Sequence, residues 1–143
     1  MAKSVGAHVF TVEKTITVRY YAAQKALVGE WASLCTPQFR EALMRAMDEG
    51  ARLGAKSWVV DLTAGPGVPS QEDLKWVETF NVGNALSKGI IACINVHGGS
   101  ALAKLGARRW TKSASDQGMI TYDCESLEQA LELAAQVASG KAA

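Results

Sequence analysis

Lys56-Ser57-Trp58-Val59-Val60-Asp61-Leu62-Thr63 is the stretch that decides the fold. It is a short apolar run that ends near an aspartate, and a loop rich in glycine and proline follows it over residues 64–69. A run this short, bounded by turn residues, predicts a strand that is buried on both faces. Open α/β sheets bind ligands at the carboxyl ends of such strands. We therefore expect the rest of the chain to pack in layers around this strand.

Upstream of it, residues 8–12 and 15–20 alternate apolar and polar side chains with many β-branched residues. Period two of this kind predicts two half-exposed strands. Glu13 and Lys14 would form the turn of a hairpin, and one long bent strand is the alternative. If residues 15–21 lie at the edge of the sheet, their free backbone groups could pair with a second copy, which makes a homodimer an expectation.

Residues 22–35 permit two interpretations, because the composition of 22–27 favours a helix whereas 27–31 could form a strand. Trp31 lies here and is the best candidate for an exposed aromatic at an interface. A clear amphipathic helix follows, with Thr36 as its predicted N-cap and Pro37 in its first position. Gly54 is the predicted C-cap.

Three strand–helix pairs complete the chain. Strand 57–63 precedes a helix that begins at Ser70 and frays near 81–84, and strand 90–96 precedes helix 101–112. Strand 119–122 precedes a last helix, which Ser126 caps and Gly140 ends. Parallel strands need crossovers, and each crossover here is helical. The fold class is therefore a single α/β domain over residues 1–143, with its core at about 8–138. It has a mixed four- to five-stranded sheet and an N-terminal antiparallel pair, and we expect helices on both faces.

The composition excludes several classes of protein. The 143 residues are 48% hydrophobic and 20% charged with a net charge of +1, so no overall field recruits nucleic acid. No apolar run resembles a signal peptide or a membrane span, which predicts a cytoplasmic location. The three cysteines, Cys35, Cys93 and Cys124, are widely separated, and the only histidines are His8 and His97. We predict no disulfide framework, no metal site and no cofactor.

Polar side chains follow the predicted parallel strands and would form a binding rim at one edge of the sheet. Its members are Asp61, Thr63, Ser70, His97 and Ser100, with Asp123 and Ser126 at the next strand end. Ser70 is most simply an N-cap, and its alternative role is that of phosphoacceptor at a helix N-terminus. The glycines before Ser100 are a turn, or alternatively expose backbone N–H groups to an anion.

Three further sets of residues are candidates for a function. Lys104, Arg108, Arg109 and Lys112 form a basic face on one helix, which is either a solvated surface or a docking surface for an acidic partner or a lipid headgroup. A Cys93–His97 nucleophile–base pair is excluded on a strand, since four residues span roughly 13 Å at about 3.3 Å per residue. His97 with Asp61 remains a candidate pair for a small enzyme, although no activated nucleophile completes it.

Four stretches carry a resemblance to a known family: 36–43 in the first helix, 57–62 in the central strand, 71–76 after it, and 120–131 in the last strand and helix. In them the chain resembles the STAS domain of anti-sigma-factor antagonists. It is still more similar to the stand-alone bacterial STAS-like proteins grouped with the lipid-binding Sec14 (CRAL-TRIO) fold. The likeness covers residues 8–138, and its motifs are structural.

The resemblance implies a non-catalytic regulatory module that engages a protein partner, such as a signalling component, through the rim after the central strand. The lipid-binding relatives imply the alternative, a carrier or sensor of a small apolar or anionic ligand. Phosphorylatable members carry an Asp-Ser-Ser/Ala-Gly motif after the central strand, whereas this chain has Asp61-Leu62-Thr63-Ala64-Gly65. The serine of the phospho-switch is therefore missing at that step.

Overall fold

A computed structural model describes residues 6–140 and forms them into one six-stranded sheet whose strand order follows the chain order. The strands are β1 (Ala7–Val12), β2 (Ile16–Tyr21), β3 (Ala26–Trp31), β4 (Ser57–Asp61), β5 (Ala92–Val96) and β6 (Ile120–Cys124). β1, β2 and β3 pair antiparallel, and β3 to β6 pair parallel. The mixed α/β class is confirmed, but the predicted count of four to five strands is wrong.

The additional strand is β3, which arises from the segment that the sequence left open. Residues 22–24 form a short 3-10 turn, and the strand interpretation holds for the residues after it. Gly29 breaks the apolar pattern because the Trp58 ring occupies the space beside it. A Cβ built on Gly29 would lie 2.5 Å from a ring carbon of Trp58. A glycine at position 29 is thus required by the packing of the next strand.

The hairpin between β1 and β2 is confirmed, and the single bent strand is excluded. The Thr15 N–H donates to the Val12 carbonyl at 3.0 Å, and Lys14 takes a left-handed φ of 61° in the turn. However, β2 lies between β1 and β3, so the prediction that 15–21 forms an edge is wrong. The edges are β1 and β6, because β3 saturates the second side of β2, and the homodimer loses the basis given for it.

The helical segments are α1 (Phe39–Leu53), α2 (Gln71–Trp76), a π-helical segment (Val77–Asn81), α3 (Val82–Ser87), α4 (Ala101–Asp116) and α5 (Leu127–Ala138).

The predicted cap at Thr36 is wrong, since its hydroxyl hydrogen-bonds the Thr15 hydroxyl at 2.8 Å and α1 begins later. Gly54 ends α1 with φ of 82°, as predicted. The expected fraying at 81–84 is also wrong, because the helix continues through the π turn into α3.

The helices are divided unequally between the two sheet faces. One apolar core joins the sheet to α1, α2, α3 and α4, and a second, smaller core joins the opposite face to α5. Because the strand order never reverses, every right-handed crossover falls on the same face. Helices do cover both faces, as predicted, but within the described residues α5 alone covers the second one.

The tryptophans belong mainly to the larger core. Trp31 is only 2% exposed and its ring lies 5.4 Å from that of Phe39, so the prediction of an exposed aromatic is wrong. Trp58 and Trp110 are buried in the same core, and Trp76 packs against its border. Trp31 is inside because α1 covers the end of β3.

Candidate functional site

The predicted rim is partly assembled at the ends of β4 and β5. The Asp61 carboxylate accepts hydrogen bonds from the Thr63 N–H at 3.0 Å and from the Thr63 hydroxyl at 2.7 Å. A Cβ on Gly98 would lie 3.1 Å from the Thr63 methyl carbon, so the loops after the two strands are in contact. Asp61 is therefore occupied in ordering its own turn.

His97 is buried beside this turn and is held by its own loop. Its Nδ1 accepts from the Gly99 N–H at 3.3 Å, and its backbone N–H donates to the Cys124 carbonyl at 3.0 Å. Among residues 6–140, no hydrogen bond joins His97 to Asp61. His97 lines a groove of about 500 Å³ with Lys104 and residues of β6 and α5, and neither Asp61 nor Thr63 lines this groove.

The serines of the rim act as helix caps. Ser70, Ser100 and Ser126 each accept a backbone N–H in the first turn of the helix they precede, at 3.1, 3.1 and 3.2 Å respectively. The helix that Ser70 caps is tied to α1 by an Arg40–Asp73 ion pair of 2.7 Å. The cap is the role that these contacts give to Ser70, and its phosphorylation stays a prediction.

The basic face divides in two. Lys104, Arg108 and Lys112 line a shallow groove of about 480 Å³ between α4 and β6. Arg109 points to the other side of α4, where its guanidinium donates to the Glu78 carboxylate at 2.8 and 3.0 Å and to the Gln71 side chain. That hydrogen bond lowers the pKa of Glu78. Arg109 therefore fastens α4 to the π-helical segment.

A cavity that the sequence did not predict lies in the larger core, beneath the π-helical segment. Its volume is about 60 Å³ and it is partly open to solvent. The floor is the sheet, through Trp31, Trp58, Val60 and Cys93. The walls come from the helices and loops above, through Leu34, Phe39, Leu43, Pro69, Val77, Asn81, Val82, Ala85, Trp110, Ala114 and Met119. Nearly all of this lining is apolar.

Two polar atoms of the cavity lining have no hydrogen-bond partner within the described residues: Trp31 Nε1 and Asn81 Oδ1. Trp31 is 2% exposed and Asn81 is 6% exposed, so both side chains are buried away from the protein surface. Asn81 is the last residue of the π-helical segment, and single π turns of this kind occur often at functional sites. Ser57 Oγ is also unpaired, but it faces away from the cavity, between Ala26 and Ala92.

Another asparagine near the cavity has all its side-chain bonds made. Asn95 donates to the Thr111 hydroxyl at 2.7 Å and to the Asp123 carboxylate at 3.1 Å, and it accepts from Trp110 Nε1 at 3.0 Å. This closed network explains how a polar residue is tolerated within the buried strand β5. It also links the rim residue Asp123 to the cavity wall.

The cavity lining contains no ionised side chain. Burial raises the pKa of the Cys93 thiol to about 12, so this sulfur is protonated near neutral pH and is no nucleophile. Within residues 6–140, no cluster of three His, Cys, Asp or Glu side chains is placed to hold a metal ion. None of the described helices is long and apolar enough to cross a membrane. The arrangement can enclose a small molecule and offer it two hydrogen bonds.

One sequence signal for this site exists in retrospect. Leu74, Val77 and Asn81 follow one another at helical spacing, so an amide side chain occupies a position of the apolar stripe. A polar residue at an inward position marks either a satisfied core contact or a site. The π turn and the cavity leave no comparable mark in the sequence.

A scan against protein-family models and searches of curated proteins and of solved structures found no match to this chain. The resemblance to STAS-like proteins therefore stays a prediction. The function of the site has to be argued from its geometry.

Proposed function

We propose that this chain is a non-catalytic module that binds a small, mainly apolar molecule in the cavity beneath the π-helical segment, as a carrier or a sensor. The observation that carries the proposal is the pair of unpaired polar atoms, Trp31 Nε1 and Asn81 Oδ1, in a lining that is otherwise apolar. Binding sites commonly combine such a lining with a few placed polar groups. Buried polar atoms without partners are rare in folded proteins and call for an explanation.

The energetics favour an occupant. Side chains around a void lose dispersion contacts on one side, and a ligand that fits restores them. A buried polar group left without a partner costs about 1–3 kcal/mol, which a ligand with matching groups would recover in part. The restored dispersion contacts and the recovered hydrogen bonds would both favour binding without any change in the fold.

The size of the cavity limits the ligand. Its volume of about 60 Å³ is less than half of the ~150 Å³ that holds a benzene ring in an engineered protein core. A larger molecule can bind only if part of it extends through the open side of the cavity, or if the covering segments are displaced. The loop 64–69 is one such segment, since Pro69 lines the cavity and the Cys35 thiol donates to the Val68 carbonyl at 2.7 Å.

The test is a binding assay with small apolar probes and a filled variant. Ligand-observed NMR with 1-butanol, 2-butanone and cyclopentane would be run on the wild type and on Ala85→Leu, which extends a side chain into the cavity from α3. We expect binding to the wild type, and binding at least tenfold weaker to the filled variant. Ala134→Ser, on the α5 face, is the control for a core substitution elsewhere. Equal binding to the wild type and Ala85→Leu, or no binding at all, would contradict the proposal.

A second candidate function is engagement of a protein partner through the rim, and one observation favours it. Leu102 and Leu105, in the first turns of α4 beside Ser100 and Lys104, are 79% and 59% exposed. Exposed large apolar side chains that adjoin polar groups are a common feature of protein interfaces. In this proposal the leucines and the rim residues form one contact surface for a regulatory partner, as the STAS-like resemblance implies.

The second candidate is tested by comparing two surface variants for capture of proteins from the native lysate. The double variant Leu102→Ser/Leu105→Ser should lose a partner that the wild type retains. Met44→Ser on α1, which is also exposed but distant in sequence from the rim, should retain it. The same set of captured proteins for all three chains would count against the rim.

A further inference from the structure

We infer that the cavity ligand is an uncharged molecule with a group that both accepts and donates a hydrogen bond, such as an alcohol, held between Trp31 Nε1–H and Asn81 Oδ1. The inference rests on the proposed binding function and specifies the chemistry of the ligand. It follows from what each of the two atoms can do, from how firmly each is held, and from the absence of charge around them.

The first requirement comes from Trp31. An indole Nε1–H is a donor only, so its partner must present a lone pair. The ring is fixed because Trp31 is the last residue of β3, is almost completely buried, and packs against the Phe39 ring. A fixed donor cannot turn towards a partner elsewhere, and the acceptor must therefore come with the ligand.

The second requirement comes from Asn81. Its amide oxygen is an acceptor, so its partner must carry an N–H or O–H group. The π-helical segment that carries it is fastened to α4 through the Arg109–Glu78 ion pair and through a 2.8 Å bond from the Gln117 side chain to the Glu78 carbonyl. An acceptor and a donor are thus presented by two separately anchored elements.

The third requirement is neutrality. A buried charge without a counter-charge is strongly disfavoured, and the lining offers none. A carboxylate would satisfy Trp31 but place a negative oxygen against the Asn81 oxygen. An ammonium group would satisfy Asn81 but leave Trp31 unpaired. One hydroxyl group satisfies both atoms, because a hydroxyl donates one bond and accepts others.

The experiment compares two isomers, an alcohol that donates a hydrogen bond and an ether that only accepts one, with a carboxylate of the same number of carbons. The indole N–H signals of the ¹⁵N-labelled protein would be followed during titration with 1-butanol, with diethyl ether, and with butyrate. Trp31→Phe identifies the Trp31 signal, and the Trp110 signal is an internal control because its N–H is already bonded to Asn95. We expect a saturable shift of Trp31 with 1-butanol and a much smaller change of Trp110.

The expected differences in affinity between the probes follow from the loss of one hydrogen bond. Diethyl ether should bind about tenfold more weakly than 1-butanol, since a buried hydrogen bond contributes up to about tenfold in affinity. Butyrate should give no saturable shift. In Asn81→Leu, the alcohol should lose its advantage while the ether binds as before. Asn84→Leu, a substitution of the same type in α3 outside the cavity lining, should keep the wild-type preference.

The outcomes separate the inference from the proposed function. Equal affinity for 1-butanol and diethyl ether, or tighter binding of butyrate, would overturn the inference and leave cavity binding intact. A failure of all three probes and of the apolar probes to shift Trp31 would overturn both, and would indicate a cavity that accepts water only. Loss of the alcohol preference in Asn81→Leu but not in Asn84→Leu would support the inference.

Discussion

Trp110 and Trp31 line the same cavity, but their indole N–H groups have different surroundings. Trp110 donates to Asn95 at 3.0 Å, and Asn95 in turn bonds Thr111 and Asp123. Within residues 6–140, Trp31 Nε1 has no acceptor. Asn81 is the asparagine of the cavity lining, and its Oδ1 has no donor. The two pairs have the same residue types and similar burial, and they differ in whether the protein completes them.

This difference separates a structural role from a binding role. A completed polar network in a core contributes to a unique packing, whereas an incomplete one lowers stability. The Asn95 pair therefore needs no further partner, while the Asn81 pair is suited to a molecule from outside. Asn81 reaches the cavity from the π-helical segment, whereas Trp110 bonds Asn95 from the regular helix α4.

The largest effect is expected from replacing the two asparagines. Asn95→Leu should lower the free energy of unfolding by about 3 kcal/mol, because it leaves Trp110 Nε1 without an acceptor in the core and removes the amide bonds to Thr111 and Asp123. Asn81→Leu should change it by less than about 1 kcal/mol or increase it, since it removes an acceptor that is already unpaired. Urea unfolding of the two variants measures both values. A comparable loss in Asn81→Leu would show that its amide is already satisfied.

A smaller effect should distinguish the two sheet faces by their tolerance of added volume. Ala134→Val on α5 should destabilise the fold by about 1–3 kcal/mol, because Ala134 is fully buried in the smaller core. Ala85→Val should be nearly neutral, since the cavity of about 60 Å³ can receive the added methyl groups. Thermal and urea unfolding would measure the pair. If Ala85→Val proved the more damaging, the cavity would have to be closed in solution.

The smallest effect concerns the attachment of the π-helical segment. The Arg109 hydrogen bond lowers the pKa of Glu78, so its contribution to stability is present above the ordinary value of 4.5 and is lost as pH falls through the lower, folded pKa. Glu78→Gln should therefore be less stable than the wild type near neutral pH and equal to it in acid. The difference should also shrink with added salt, because the pair is exposed to solvent. A difference independent of pH would assign the effect to packing.

The elements that the sequence predicted well are those whose pattern is local. The strand at 57–61 is apolar and bounded by turns, and Gly54, Ser70, Ser100 and Ser126 cap helices through their own backbone neighbours. The strand β3 was ambiguous because the composition of residues 22–27 favours a helix, and the contact of Gly29 with the Trp58 ring, which supports the strand, is distant in sequence. The prediction that β2 lies at the edge of the sheet was wrong because β3 forms and pairs with β2.

The site was less predictable than the fold. The rim was inferred from where strands end. That rule does not indicate that Asp61 accepts hydrogen bonds from Thr63, or that His97 lines the groove with residues of β6 and α5. The side on which Arg109 lies depends on Glu78, thirty-one residues away in sequence. The cavity lies beneath the π turn at Val77–Asn81, a change of helical geometry that residue spacing does not encode.

The most direct test of the central claim is a crystal structure of the protein with 1-butanol bound. The account predicts the alcohol in the cavity beneath the π-helical segment, with its oxygen at about 3 Å from Trp31 Nε1 and from Asn81 Oδ1. The Trp110–Asn95 bond should be unchanged. An alcohol bound only elsewhere, or a cavity in which Trp31 and Asn81 are bonded to protein groups, would contradict the account.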